Sequence, residues 1–402
     1  MSNIIIAGGG LINKGAQAMT LISICELKKR YPEHQIYLLT WNASQNEKVR
    51  HAPYDLELLQ IPPKKFASAA KNPLKRAVYF LHFRKNFTEI DQIYRDTELL
   101  IDISGYAIGS NWSEKVCNDY LDNIEFALAY DIPVYLLPQS FGPFDFQDEA
   151  GQQIDHRIRK IFPQVKLICA REAEGYSALL AHYKLEHNTI LTEDMVLSSR
   201  IHDYSVAMKQ KPDIVLPEIT EDCMCLIPNV RACETNREKT EELYHCAVRK
   251  GIACGLTVYI TYHSTQDAEL CQKLKSDFSD EAKVVLLDHD YGCMEFNELV
   301  KKFRFVVGSR FHALVHALKN GVPCVAMGWA IKYVDLMKLF GQNAYMLDLR
   351  ESVPLDAVQE AVGMMAERFT VEAETIRERL PDVQRENVFD KIKKLDKNGT
   401  NK

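Results

Sequence analysis

The chain has 402 residues, 47% of them hydrophobic and 26% charged, with a net charge of −6. Such a length exceeds what one hydrophobic core usually organises and predicts two domains of roughly 150–200 residues each, while the acidic balance argues against bulk nucleic-acid binding. Of the eleven cysteines only Cys223 and Cys225 are close in sequence, and no C-x-x-C or H-E-x-x-H is present, so free thiols are expected and no metal is implied.

The opening MSNIIIAGGG is too short an apolar stretch for a signal-peptide core or a membrane span, which leads to the expectation of a cytoplasmic protein. From there apolar runs of four to seven residues alternate with helical periodicity, the pattern of β-α-β units and parallel sheet. In the first half strands are predicted at Asn3–Ala7, Gln35–Trp41, Leu56–Ile61, Leu99–Ile103, Val134–Pro138 and Leu167–Ala170. The basic stretch from Pro62 to Lys85 reads as a solvated surface loop leading into a helix, a surface that could rest against anionic lipid but carries no assigned chemistry. Periodicity fades between Ser198 and Glu221, where Pro212 and Pro217 stand, and a domain boundary is placed there. The second set of strands is predicted at Met224–Asn229, Leu256–Thr261, Lys283–Leu287, Phe305–Gly308 and Cys324–Met327, with a helix over Asn236–Lys250 capped by Gly251. The expected organisation is therefore a Rossmann-like acceptor-side domain over 1–205 and a Rossmann-like donor domain over 206–371. A helix and frayed tail follow over 372–402. Two doubly wound α/β halves in tandem facing a cleft resemble the GT-B architecture.

In open parallel sheets ligands bind off the carboxyl ends of the strands, which singles out three regions. GGGLINKGAQAM follows the first strand and offers Asn13 and free helix amides near Gly15; its spacing lacks the third glycine of the dinucleotide fingerprint, with Asn13 in that place, so NAD is disfavoured. DISGYAIGSNW sets Asp102 at a strand end, where a carboxylate can orient or deprotonate a sugar hydroxyl, and PQSFGPF adds Gln139 and Ser140 for hydroxyl recognition. The strongest signal is GSRFHALVHALKNGVP. Ser309 reads as an N-cap and Phe311, Leu314, Val315 and Leu318 recur at helical spacing, so Arg310 and His312 occupy the first helical turn, suited to phosphate or carboxylate. The competing reading pairs Arg310 with an acid of the neighbouring domain. His312 and His316 are spaced for a metal but lack an accompanying glutamate. Lys332 and Arg231, each just after a predicted strand, would bring further cations to the same rim.

These residues resemble the polysaccharide pyruvyl transferases, from Gly10, Asn13, Gly15 and Ala16 to SRFHALVHALKNGVP followed by Lys332 and Gly341. The resemblance implies a GT-B-like fold and transfer of pyruvate from phosphoenolpyruvate, a co-substrate with no separate cofactor. The product is a ketal on a hexose, galactose being expected, of an exopolysaccharide, cell-wall polymer or lipid-linked repeat unit at the inner membrane face. The R-x-H motif of the family falls on Arg310 and His312, its donor lysine on Lys332 and a further arginine on Arg231. His312 would contact the donor phosphate or act as general acid, and Asp102 or Glu193 as base. The chain departs from the family at Tyr106, where relatives carry glycines, and at Thr192-Glu193-Asp194-Met195, where they carry Asp-Pro; both bear on the acceptor. The alternatives are a GT-B nucleotide-sugar glycosyltransferase and a non-catalytic carbohydrate-binding protein.

Overall fold

The computed structural model describes residues 2–44, 47–48, 51–210 and 213–392, with the backbone alone at 84–86. Pro212 and the terminal KKLDKNGTNK lie outside the described residues. Strand β1 (Asn3–Ala7) is buried along its whole length, as a strand covered by helices on both faces must be. It belongs to a parallel sheet with β2 (Gln35–Thr40), β3 (Glu57–Gln60), β4 (Thr97–Asp102), β5 (Val134–Gln139), β6 (Leu167–Ala170) and β7 (Thr189–Leu191), in the order β3-β2-β1-β4-β5-β6-β7. A second parallel sheet contains β8 (Cys223–Ile227), β9 (Thr257–Ile260), β10 (Val284–Leu286), β11 (Phe305–Gly308), β12 (Cys324–Gly328) and β13 (Met346–Asp348), ordered β10-β9-β8-β11-β12-β13. Strand order reverses between β1 and β4 and again between β8 and β11, and these switch points are where open α/β sheets hold ligands. The expected two-sheet α/β architecture is present, with β7 and β13 added as three-residue edge strands.

Three local expectations are corrected. The helix predicted to stop at Gly251 runs from Arg237 to Ala253 with Asn236 as its cap. Gly251 lies inside it because a Cβ there would stand 2.6 Å from Met224 Sδ, and Gly255, at φ +86°, makes the turn instead. Ser309 does not cap the helix Phe311–Lys319; the cap position is Arg310, without a side-chain bond. The terminal helix begins at Leu355 and continues to Val383, so the charged stretch after Glu372 is its second half.

The halves are closed against each other through the helix Lys14–Arg30, which is buried along most of its length. Lys14 Nζ stands 2.9 Å from Asp290 Oδ1, and the backbone N–H of Cys293 donates to Gln17 Oε1 at 2.7 Å. One hydrophobic cluster runs from β1 through the second sheet to Ile392, while another covers the opposite face of the first sheet. After the long helix the chain returns to the first half: Asn387 Nδ2 donates to Glu26 Oε1 and Gln384 Nε2 to the Leu197 carbonyl. Among the described residues no helix is long and apolar enough to cross a membrane, and the eleven cysteines are free, all but Cys254 buried.

Candidate functional site between the two sheets

On the second-sheet wall the chain leaves β11 at Ser309, whose carbonyl accepts from Asn229 Nδ2 (2.8 Å), Trp329 Nε1 (3.2 Å) and Tyr333 Oη (2.6 Å). Its hydroxyl lies 2.7 Å from Tyr244 Oη. This web fixes the backbone from which Arg310, Phe311 and His312 emerge. Arg310 makes a two-pronged bond to Asp267, Nε to Oδ2 at 2.6 Å and Nη2 to Oδ1 at 2.7 Å, and Asp267 is fully buried and also accepts from Val230 N. Its partner acid thus comes from its own half, after β9, and not from the neighbouring domain; Arg310 acts first as a brace between two loops.

The first-sheet wall is built around Arg171, immediately after β6. Its guanidinium donates to Glu172 Oε1 at 2.8 Å, Ser140 Oγ at 2.9 Å and Asp194 Oδ2 at 3.1 Å, and its charge is further secured by these acids, which raise its pKa against the opposing effect of burial. Asp194 caps the short helix Met195–Ser198 through the amides of Val196 and Leu197. The walls meet on Phe311: Arg171 Cζ and Lys332 Nζ, from opposite halves, each lie 5.1 Å from its ring centre. Among the described residues no carboxylate is within ion-pair distance of Lys332, and burial, followed by the Arg171 charge, lowers its pKa to about 8. His312 is enclosed beside them. Its Nε2 has no hydrogen-bond partner and stands 3.8 Å from Asp194 Oδ2, and a Cβ on Gly15 would reach within 2.5 Å of its ring. Burial lowers the His312 pKa to about 4 despite the opposing Asp194 charge. A compact anion would satisfy Lys332 and the free His312 nitrogen together, since it supplies the charge and acceptor atoms that the protein withholds.

The other predicted residues divide. Asn13 is exposed and spends its side chain on the amides of Gly15 and Ala16. Asp102, at the first switch point, is buried beneath the β4 loop, accepting from Ser104 N and Gln139 Nε2; burial raises its pKa to about 6. Gln139 is wholly buried between Asp102 and Tyr120. Ser140 serves Arg171 and Glu172. Glu193 is exposed next to Asp194, with its pKa raised by local desolvation and by Asp194 and Asp335. Arg231 is exposed and paired with Glu234 at 2.7 Å, on the loop whose Val230 N–H donates to Asp267, the acid that holds Arg310; the cations that meet on Phe311 are Lys332 and Arg171. His316 faces the core, its Nδ1 3.4 Å from Asn297 Oδ1 and its ring 5.8 Å from that of His263. Arg171, Asp194 and Asp267 were missed by sequence reasoning, although Arg171 directly follows a predicted strand and satisfies the same positional rule used elsewhere.

The sequence matches the polysaccharide pyruvyl transferase family over residues 13–330. The chain belongs to that family. In this pyruvyl transferase the matched segment extends from the cap of the first helix to Ala330 and so includes the first-sheet wall and the Ser309–His312 turn, stopping just short of Lys332 and Tyr333. No curated protein sequence matches the chain. Among solved structures it is similar to UDP-GlcNAc 2-epimerase from Methanocaldococcus jannaschii, with TM-score 0.57 and 14% identity over 91% of this chain and 93% of that one. It is also similar to Medicago truncatula UGT71G1 complexed with UDP-glucose, with TM-score 0.53 and 12% identity over 96% and 94%. At these identities the pyruvyl transferase shares with them the GT-B fold.

Proposed function

We propose that this protein transfers the pyruvyl group of phosphoenolpyruvate to a hexose, galactose in the first instance, of a surface polysaccharide or its lipid-linked repeat unit, closing a 4,6-ketal and releasing phosphate. The observation that carries this reading is the pairing of Arg171 and Lys332 across one aromatic ring, beside a buried His312 nitrogen that lacks a partner. Phosphoenolpyruvate brings a phosphate and a carboxylate, and this cluster supplies Lys332 as a point cation beside the charge of Arg171, whose fork is held in place by Glu172, Ser140 and Asp194.

Lys332 and Arg171 hold the anionic groups, with Arg310, braced by Asp267, keeping the second-sheet loop in place. The imidazole of His312, neutral in the free protein, gains a proton once the donor's negative charge lies beside it, and so protonates the vinyl carbon only when donor is bound. The resulting cation is attacked by the sugar O4, which loses its proton to a carboxylate; exposed Glu193 suits this role better than Asp102, which is enclosed by Gln139 and Ser104. The carbon–oxygen bond to phosphate then breaks and O6 closes the six-membered ring. Of the two hydroxyl protons, one replaces the proton given to the methyl carbon and the other leaves with phosphate. The main catalytic contribution is electrostatic stabilisation of the developing charges. The proposed setting is exopolysaccharide or capsule assembly in the cytoplasm, at the inner face of the membrane where a lipid-linked acceptor is presented.

The test is phosphate release from phosphoenolpyruvate with a panel of galactosides, mannosides and glucosides carrying lipid-like aglycones, with mass spectrometry of the sugar. The proposal predicts phosphate release coupled to a gain of pyruvate less one water on one hexoside. No gain on any sugar, together with a rise in Tm on adding UDP or GDP, would instead establish the glycosyltransferase reading.

A further inference from the structure

Between Glu57 and Glu89 the chain carries seven Lys or Arg residues and not one Asp or Glu, although the whole protein has a net charge of −6. This segment forms the 3-10 turn Lys64–Ala69 and the first half of the helix Pro73–Arg95. Tyr79, Phe83 and Phe87 form the helix's inward face, each ring within 5.0–5.5 Å of Phe66. With about 3.6 residues per turn, Leu74, Val78 and Leu81 fall in one stripe on the opposite face. They are 80%, 49% and 65% exposed, with Phe80 at 52% on the flank. Lys64 and Lys71 are paired with Asp122 and Asp131, but among the described residues Lys65 and Lys75 have no acidic partner. Lys65 lies over the Phe83 ring at 4.0 Å.

We propose that this face docks the protein on an anionic phospholipid surface, with Leu74, Val78 and Leu81 entering the interface and Lys65 and Lys75 meeting lipid phosphates. An outward apolar stripe set among cations is the composition of an interfacial helix, and exposed apolar side chains in a cluster mark an interaction surface. Self-association through this face would set like charges against one another, and a nucleic acid would offer no apolar phase to Leu74 and Leu81. The helix starts by the amino edge of the first sheet, where Arg95 Nη2 donates to the Ala70 carbonyl just ahead of β4 and Lys71 pairs with Asp131 just ahead of β5. The inference rests on the proposed function only for its purpose, the meeting with a lipid-linked acceptor; the docking itself rests on charge and exposure.

The experiment is flotation of the full chain with phosphatidylcholine vesicles, with and without phosphatidylglycerol, in the absence of donor and sugar. Binding is expected only when phosphatidylglycerol is present, weakening with added salt. It should be lost in the Leu74→Ser/Leu81→Ser variant at unchanged Tm, and reduced about fivefold by each of Lys65→Gln and Lys75→Gln. Absence of binding to the anionic vesicles, equal binding to the neutral ones, or full binding by the double serine variant would overturn it. Because no step uses phosphoenolpyruvate, failure of docking and failure of the transferase reading are seen separately.

Discussion

Arg171 holds three partners, Glu172, Ser140 and Asp194, with one planar group, and this leaves its face against Phe311 and Lys332. A lysine cannot reproduce that fork, so Arg171→Lys should weaken phosphoenolpyruvate binding by about 2 kcal/mol, roughly thirtyfold, read by calorimetry. His312 differs in kind because its free nitrogen is useful only when a ligand arrives. His312→Ala should lower kcat by about two to four orders of magnitude without lowering Tm, since the protein gives up the burial of an unsatisfied polar atom; near-normal turnover would remove this residue from the chemistry. Asp267 is structural by the same reasoning turned round. Asp267→Ala strips Arg310 of its partner inside the protein, and a loss of about 3 kcal/mol in urea unfolding is expected.

At the scale of elements, the helix Lys14–Arg30 must approach the R-x-H turn closely, and Gly15 is what permits it. Gly15→Ala places a methyl group within 2.5 Å of the His312 ring; the expected result is weaker donor binding and a lower Tm, although alanine is ordinarily the better helix residue. The strands and the SRFH helix were legible because each is a local signal: buried runs of four to six residues, and apolar residues at helical spacing. Strands β7 and β13 were not: each has three residues and a polar one among them, Thr189 and Asp348, whereas the equally short β10 is Val-Val-Leu. Nor were the partners of the site residues. Nothing in a window around Arg310 announces Asp267, forty-three positions away, and the same holds for Arg171 and Asp194, brought together by two separate strand ends. Gly251 misled for a related reason: it reads as a helix stop locally, yet it is needed for contact with Met224 on β8.

For the whole molecule, closure of the two halves encloses ionisable groups that an unfolded chain would expose. Burial lowers the pKa of His312 to about 4, of His316 to about 3, and of His263 well below its ordinary value. Since the folded values lie below the unfolded one near 6.5, the unfolded state binds more protons at mildly acid pH. Stability is therefore full above about pH 6.5 and is lost as pH falls towards 4, by up to about 1.4 kcal/mol per pH unit for each histidine. Urea titrations between these limits check this, and a His316→Gln variant should show a shallower slope. Lys332 gives the complementary prediction. Its free-protein pKa near 8 rises when an anion binds, so donor affinity should be nearly constant below pH 7 with respect to this group and fall as pH passes 8. The most direct test of the donor site is therefore the affinity for phosphoenolpyruvate at neutral pH, measured by calorimetry in the wild type, Arg171→Met and Lys332→Met. Binding by the wild type with at least tenfold loss in each variant, about 1.4 kcal/mol, is predicted; undiminished binding in both variants would contradict a donor site shared between the two halves.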